Sequence, residues 1–168
     1  IHDRRQRQMC IRDRSKIFLG DTMNSITENS LISQLLKRKI VSINADKPIY
    51  NAIKMLAKNN IGALPVLNGK KELCGIISER DILRQLSKDI RINLKISLIN
   101  SIMTSQVITI TRNINSEVIM DIMTKHKVRH IPIVDKKVLI GIVSIGDVVK
   151  RLLEKFNLEN QHLKSWLY

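Results

Sequence analysis

Two short motifs in this chain carry side chains that could hold a ligand. Each has the form Ser-x-x-Asp, with Ser78 and Asp81 in the first motif and Ser144 and Asp147 in the second. A carboxylate can accept two hydrogen bonds from a ribose diol, which makes aspartate a common anchor for nucleosides. A serine at a strand-to-helix junction stands beside backbone N–H groups and a helix dipole that favour an anion. The two motifs therefore predict binding of a sugar and a phosphate group.

The same pattern also has a purely structural interpretation. Ser-x-x-Asp at the start of a helix is a capping box, which stabilises the helix without any ligand. For one isolated motif we favour the cap. Because the motif occurs twice in a repeated frame, we favour ligand binding here, and the two roles are compatible.

The motifs belong to an internal repeat. The blocks around Pro65 and Pro132 are 67 residues apart, whereas the blocks that begin at Gly75 and Gly141 are 66 residues apart, so the second copy is one loop residue shorter. A repeat of this length predicts two half-modules that share one core around a pseudo-twofold axis. Paired clefts are then expected at the seam between the halves.

Each copy predicts the same order of elements: helix, strand, helix, strand, strand, helix. Apolar residues at helical spacing indicate the helices, and β-branched runs bounded by turn residues indicate the strands, so the predicted fold class is α+β. The predicted elements of the first copy are a leading helix over 31–36, a strand over 40–43, a helix from Pro48, strands over 64–67 and 73–78 joined by an Asn68-Gly69 turn, and a helix over 79–86. Those of the second are a leading helix within 97–103, a strand over 107–110, a helix around Ile119, strands over 131–134 and 138–144, and a helix over 145–156.

The composition excludes several classes of function. The net charge of +14 comes largely from scattered lysines, without an arginine-rich stripe, and aromatic residues make up only 3% of the chain. We therefore expect a solvated lysine surface rather than a nucleic-acid site. The longest apolar stretch, over 138–145, is too short to span a bilayer. Cys10 and Cys74 lack metal-ligand spacing, and we interpret Cys74 as a core thiol of a cytoplasmic protein.

No residue set in the chain predicts catalysis or a metal site. Neither a Ser/His/Asp or Cys/His combination nor a glycine-rich phosphate loop occurs in a plausible frame. His126 and His130 are close in sequence, but the first ends a predicted helix and the second begins a predicted strand, so zinc binding is not expected. We predict no catalytic residue and no catalytic cofactor.

The first residues have the features of a disordered or artefactual tail over 1–22. The stretch Gln8-Met9-Cys10-Ile11-Arg12-Asp13 back-translates to a string that resembles the end of a transposase library adapter. We therefore expect a translated adapter here and a natural start nearer Met23. A basic disordered tail is the alternative, and resequencing the locus distinguishes the two.

The repeated blocks together resemble the cystathionine-β-synthase (CBS) domain pair, also called a Bateman module. The residues that carry the resemblance are the two strands with a central proline and the blocks Gly75-Ile-Ile-Ser-Glu-Arg-Asp81 and Gly141-Ile-Val-Ser-Ile-Gly-Asp147. The resemblance places one CBS repeat at 30–88, a second at 97–156 and a C-terminal helix at 157–168. The chain also resembles stand-alone CBS-pair proteins of α-proteobacteria. The resemblance implies a disc-shaped module that forms homodimers and binds AMP, ADP, ATP, NAD or S-adenosylmethionine between its halves.

Family roles carry over to particular positions. The resemblance implies that Asp81 and Asp147 bind ribose hydroxyls and that Ser78 and Ser144 help to hold phosphate. Arg129 and His130 correspond to basic residues that reach phosphate in the family, whereas the first copy has Gly62 and Ala63 there, so we expect one cleft to bind better. If the copy with Arg129 is the stronger, Asp147→Ala weakens binding more than Asp81→Ala.

Further positions complete the predicted site. Arg80 either reaches phosphate or lies in solvent, and the two interpretations are equally favoured. The remaining candidates are adenine contacts at Val41, Ile108, Met103 and Thr104, together with Pro132 in the second central strand.

We predict a non-enzymatic adenine-nucleotide sensor that acts on an unidentified partner protein, away from membranes and nucleic acids. The alternative is a regulatory fragment of a larger enzyme, such as inosine-monophosphate dehydrogenase, or of a transporter. A nucleic-acid binder is less favoured.

Overall fold

The computed structural model describes residues 31–165, so the predicted tail, Cys10 and Met23 lie outside the described residues. The described part is a mixed α/β structure, as predicted, with five α-helices, one short 3₁₀ helix and two small sheets. In chain order the elements are α1 (Leu31–Leu36), β1 (Ile43–Asn44), α2 (Ile49–Asn59), β2 (Ala63–Leu67), β3 (Leu73–Ser78), α3 (Glu79–Lys88), the 3₁₀ helix (Ile99–Ser101), α4 (Ser116–His126), β4 (His130–Asp135), β5 (Val138–Ser144) and α5 (Ile145–Ser165).

Each half is built around an antiparallel hairpin. In the first half β2 pairs with β3, and the short strand β1 runs parallel to β2 on its other edge. In the second half β4 pairs with β5, while the predicted strand over 107–110 is reduced to isolated bridges at Thr109 and Ile110, and Ile110 pairs with Ile133. Side chains on β3 alternate between buried and partly buried, which is the pattern expected of a strand with one face on a core.

The hairpin connections differ from the predicted turn. Asn68-Gly69 does not form a two-residue turn, because the connection spans residues 68–72 and Asn68 Oδ1 accepts hydrogen bonds from the backbone N–H groups of Lys70 and Glu72. The residue with a left-handed backbone there is Lys71, with φ 61°. The second hairpin turns through Lys136 and Lys137, both with positive φ, which matches the handedness of tight hairpin turns.

The two halves exchange their leading segments. Leu31, Ile32 and Leu35 of α1 are buried in the core cluster of the second half, beside Ile119 and Ile131. Conversely, Ile99 of the 3₁₀ helix is fully buried in the core cluster of the first half. The repeat in the sequence did not indicate which half each leading segment contacts, and in the structure each core is completed by a segment of the other copy.

The second leading segment is not an α-helix, contrary to the prediction. Its backbone is instead tied to the first half, since Ile99 N donates to Lys47 O at 3.0 Å and Asn100 N donates to Ala45 O at 3.1 Å. Thr104 then pairs with Ile76 through two backbone hydrogen bonds of 2.9 Å each. Because Thr104 N donates to Ile76 O of β3 rather than to a carbonyl of the preceding turn, the helical turn does not continue beyond Met103.

The last helix is longer than predicted. α5 runs without a break to Ser165, so the residues predicted to form a separate C-terminal helix continue it as far as that residue. Lys155 on α5 donates to Glu117 on α4 at 2.6 Å, which holds the helix beside α4. No helix in the described part of the chain is both long and apolar enough to cross a membrane.

Candidate functional site

Two clefts lie where the halves meet, and each contains one of the Ser-x-x-Asp motifs. The Asp147 cleft has a volume of about 320 Å³ and is lined by Ser144 and Asp147 together with first-half residues such as Val41 and Ile61. The Asp81 cleft has a volume of about 370 Å³ and is lined by Ser78 and Asp81 together with second-half residues such as Val128 and Arg129. Each cleft therefore takes its aspartate from one half and much of its facing wall from the other.

Both motifs form the capping box predicted as their structural role. In α3, the backbone N–H and the hydroxyl of Ser78 donate to Asp81 Oδ2 at 2.8 and 2.6 Å. In α5, the same groups of Ser144 donate to Asp147 Oδ2 at 2.9 and 2.5 Å. The cap uses one oxygen of each carboxylate, so Oδ1 is the oxygen left for other partners.

The two Oδ1 atoms have different partners. Arg38 Nη1 donates to Asp147 Oδ1 at 2.6 Å, whereas Arg84 Nη1 is 3.7 Å from Asp81 Oδ1, too far for a hydrogen bond. Burial raises the pKa of Asp147, but hydrogen bonds from Ser144 and Arg38 outweigh it, so the pKa lies below its ordinary value. The Asp147 carboxylate is therefore the more strongly held of the two.

Left-handed helix ends bring the chain into both clefts. Asn60 after α2 and Lys127 after α4 have φ 51° and 54°, and both line a cleft. Beyond them, Glu79 N donates to Gly62 O at 3.2 Å and Ile145 N donates to Arg129 O at 2.9 Å. These bonds attach the start of β2 to α3 and the start of β4 to α5, which sets the position of each cleft wall.

The residues predicted to reach phosphate do not all lie in the clefts in which the sequence had placed them. Arg129 lines the Asp81 cleft, although the sequence had predicted that it acts with Asp147 of its own copy. His130 lines both clefts, as do Gly62 and Ala63. The physical reason is that the clefts form between the halves, so residues that precede a central strand face the Ser-x-x-Asp motif of the other copy.

Of the remaining residues predicted to contact the ligand, only some line a cleft. Val41 lines the Asp147 cleft, and Arg80 and Thr104 line the Asp81 cleft. Ile108, Met103 and Pro132 are not among the residues that line either cleft. Met103 lies against Gly75, and Pro132 is buried in β4, where its carbonyl accepts a hydrogen bond from Ile110 N.

Sequence reasoning missed several cleft residues. Arg38 and Lys39 line the Asp147 cleft, and Arg84 and Lys127 line the Asp81 cleft. The signal that could have indicated Arg38 and Lys39 is their absence from the second copy, where Ser105 and Gln106 stand 67 positions later. A basic pair present in only one copy of a repeat indicates a role that the copies do not share.

The two clefts differ in charge. The Asp81 cleft holds a cluster of basic side chains, and its acidic members are Glu79 and Asp81; the basic members are Arg80, Arg84, Lys127 and Arg129. The Asp147 cleft has Arg38 and Lys39 beside a lining in which apolar residues predominate, namely Leu35, Ile40, Val41, Ile61, Ala63 and Ile142. The basic cluster of the Asp81 cleft favours a ligand with several negative charges. The apolar lining of the Asp147 cleft favours a flat apolar ring.

His130 stands at the boundary between the clefts as a mainly neutral side chain. Burial lowers its pKa, the nearby Arg129 lowers it further, and Asp147 and Glu79 partly offset this effect. Within residues 31–165, no group of three or more His, Cys, Asp or Glu side chains could hold a metal ion.

Comparison with known proteins agrees with this arrangement. The family model described as the CBS domain matches residues 32–88 and 99–154. The chain belongs to the CBS-domain family. Its two matched segments correspond to the two halves described above and make it a CBS-domain pair, a module of the regulatory type.

Similar CBS proteins come from several organisms. The mitochondrial CBS domain-containing protein CBSX3 of Arabidopsis thaliana is 35% identical over 151 residues, which are 83% of this chain and 73% of that protein. A CBS domain protein from Pyrobaculum aerophilum, solved in complex with AMP, is 33% identical, with a TM-score of 0.63 over 69% of this chain and 88% of that one. The CBS domain pair of protein MJ0100, solved with 5′-methylthioadenosine and S-adenosyl-L-methionine, is 28% identical, with a TM-score of 0.67 over 75% of this chain and 98% of that one.

Proposed function

We propose that this CBS pair is a non-enzymatic sensor that binds an adenine nucleotide between its halves and transmits the change in packing to a partner protein. The observation that carries the proposal is the position of Asp81 and Asp147. Each carboxylate caps a helix with Oδ2 and stands in a cleft whose facing wall comes from the other half. A ligand held in such a cleft contacts both halves, so it stabilises the arrangement of the halves that fits it.

The chemistry of the clefts favours adenosine compounds. The Oδ1 atom of either aspartate can accept hydrogen bonds from ribose hydroxyls, and the serine hydroxyl and the helix start beside it suit a phosphate. In the Asp147 cleft, Val41 and Ile61 offer an apolar wall to the base. The complexes of the two similar CBS proteins, one with AMP and one with methylthioadenosine and S-adenosylmethionine, support the same class of ligand here.

The difference in charge predicts that the two clefts prefer different ligands. We expect the Asp147 cleft to bind ligands with one phosphate or none, because its wall is mostly apolar. We expect the Asp81 cleft to favour ADP and ATP, because Arg80, Arg84, Lys127 and Arg129 surround it. This assignment reverses the residue pairing expected from the sequence.

As part of the same proposal, the protein is a homodimer in the cytoplasm. Val149, Leu153 and Phe156 are 41%, 57% and 61% exposed and recur at helical spacing on α5. A contiguous apolar stripe of this kind is stabilised when a second surface covers it. Sedimentation or light scattering of the full chain measures the oligomeric state.

Calorimetry and thermal-shift measurements test the proposal with adenosine, AMP, ADP, ATP, NAD and S-adenosylmethionine. We expect at least one of these compounds to raise the melting temperature and to bind with a measurable heat. Asp147→Asn and Asp81→Asn keep an oxygen for the cap but remove the charge, so each should weaken binding in its own cleft. Asp135→Asn is the matched control, because Asp135 pairs with Arg112 at 2.9 Å outside both clefts. If no compound stabilises the protein at millimolar concentration, the proposal is wrong.

A further inference from the structure

Arg38 occupies the one oxygen of Asp147 that the helix cap leaves free. Its Nη1 atom donates to Asp147 Oδ1 at 2.6 Å, and Oδ2 already accepts two hydrogen bonds from Ser144. A carboxylate has about four acceptor sites, so a ribose diol that donates two hydrogen bonds to Asp147 must compete with the guanidinium group for one of them. The other cleft lacks this competition at short range, since Arg84 is 3.7 Å from Asp81 Oδ1.

The backbone at Arg38 is attached to a buried part of α1, whereas its side chain is largely exposed. Arg38 N donates to Leu35 O at 3.0 Å, and Leu35 is 2% exposed in the core of the second half. The Arg38 side chain, in contrast, is 60% exposed, whereas the Asp147 side chain is 15% exposed. A change of rotamer can therefore release Asp147 without moving α1 or α5.

The guanidinium lies beside the start of α5, a helix end that favours an anion. It touches a carboxylate whose other oxygen is bonded to Ser144 N and Ser144 Oγ at the start of α5. Arginine binds phosphate through the same paired donors that it uses for a carboxylate. A phosphate in the Asp147 cleft thus offers Arg38 a second anionic partner within its reach.

On these contacts, and resting on the proposed function, we infer that Arg38 is a specificity residue of the Asp147 cleft. It competes with ribose for Asp147 and changes partner to the phosphate when the ligand carries one. Unphosphorylated adenosine loses this compensation, because it displaces the guanidinium from Asp147 and leaves it without an anion. The residue therefore makes the cleft select nucleoside monophosphates over nucleosides.

The test compares AMP with adenosine by calorimetry on the full chain, in an Asp81→Asn background that weakens the other cleft. With Arg38 present, AMP should bind more tightly than adenosine. Arg38→Gln should weaken AMP binding and leave adenosine binding equal or tighter, so that the preference for AMP falls roughly tenfold, as expected for one charge-assisted hydrogen bond. Arg38→Lys keeps the positive charge and should retain part of the preference.

Arg112→Gln is the matched control, because Arg112 forms a similar exposed pair with Asp135 outside both clefts. It should leave both affinities unchanged. An unchanged preference in Arg38→Gln, or an equal loss of both ligands, overturns the role of Arg38 while the proposed function stands. Absence of binding by either compound to the wild-type chain, and by the other nucleotides, overturns both.

Discussion

His130 of the second copy lies against Gly62 of the first copy, so that a Cβ atom added to Gly62 would stand 3.3 Å from His130 Cε1. Both residues line both clefts. They therefore form a boundary that the two clefts share. A ligand in either cleft lies against residues that also line the other cleft. The imidazole fits here because the facing residue has no side chain.

The partly buried position of His130 predicts a pH dependence of stability. Burial and Arg129 lower its pKa, so the unfolded chain takes up a proton at higher pH than the folded chain does. The stabilisation from neutral His130 is complete above the ordinary histidine pKa of about 6.5 and is lost as the pH falls toward the lower folded value. Urea unfolding of wild type and His130→Asn across this window measures the effect, and the variant should show a smaller decrease. His126→Asn, outside the clefts, should keep the wild-type decrease; an equally steep decrease in His130→Asn would contradict the assignment.

The exchanged leading segment makes α1 a core element of the second half. Leu35 is 2% exposed in that core, so Leu35→Ala should lower the free energy of unfolding by about 2–5 kcal/mol, the usual range for a buried leucine. Leu83→Ala is the control, because Leu83 is 66% exposed and its truncation should change stability by less than about 0.5 kcal/mol. Denaturant unfolding measures both. Equal effects of the two variants would show that α1 does not complete the core.

Gly75 is the position in β3 where an added side chain would displace the side chain of Met103. A Cβ atom there would overlap Met103 Sδ and lie 3.1 Å from Met103 Cγ. Gly75→Ala should therefore destabilise the protein by about 1 kcal/mol, the lower end of the usual range for overpacking, because the flexible Met103 side chain can move aside in part. Gly69→Ala, where nothing lies within 4 Å of the added atom, should be close to neutral.

A double-mutant cycle checks the cause of the Gly75 effect. In a Met103→Ala background the penalty of Gly75→Ala should shrink, because the overlapping atoms are gone. An undiminished penalty would mean that the β3 backbone, rather than Met103, is responsible.

The basic cluster of the Asp81 cleft predicts selectivity for charge. Arg129→Gln removes one of the cations that line the cleft of Ser78, so the affinity for ATP should fall roughly tenfold while that for adenosine changes little. Isothermal titration measures the two affinities. Arg91→Gln is the control, since the Arg91 side chain is 93% exposed and lies outside both clefts. A loss of affinity that is the same for ATP and adenosine would contradict a phosphate contact.

Local chemistry explains what could be determined from the sequence alone. A Ser-x-x-Asp motif and the helix it caps lie within one turn, so Asp81 and Asp147 form their capping boxes through residues three positions away. The central hairpins follow in the same way from β-branched runs separated by short connections. The internal repeat also allowed the family to be recognised from the sequence, because the same local pattern occurs twice in the same order.

Contacts between distant residues were decided only by the tertiary structure. Arg38 reaches Asp147 across 109 positions, and α1 packs on the half that follows it rather than on its own. Arg129 faces Asp81 for the same reason, since the clefts form between the copies. A sequence repeat shows that two halves are alike, but it carries no information on which half a segment contacts. That choice depends on the summed burial and hydrogen bonding of both halves at once, and it determines which charges meet each ligand anchor.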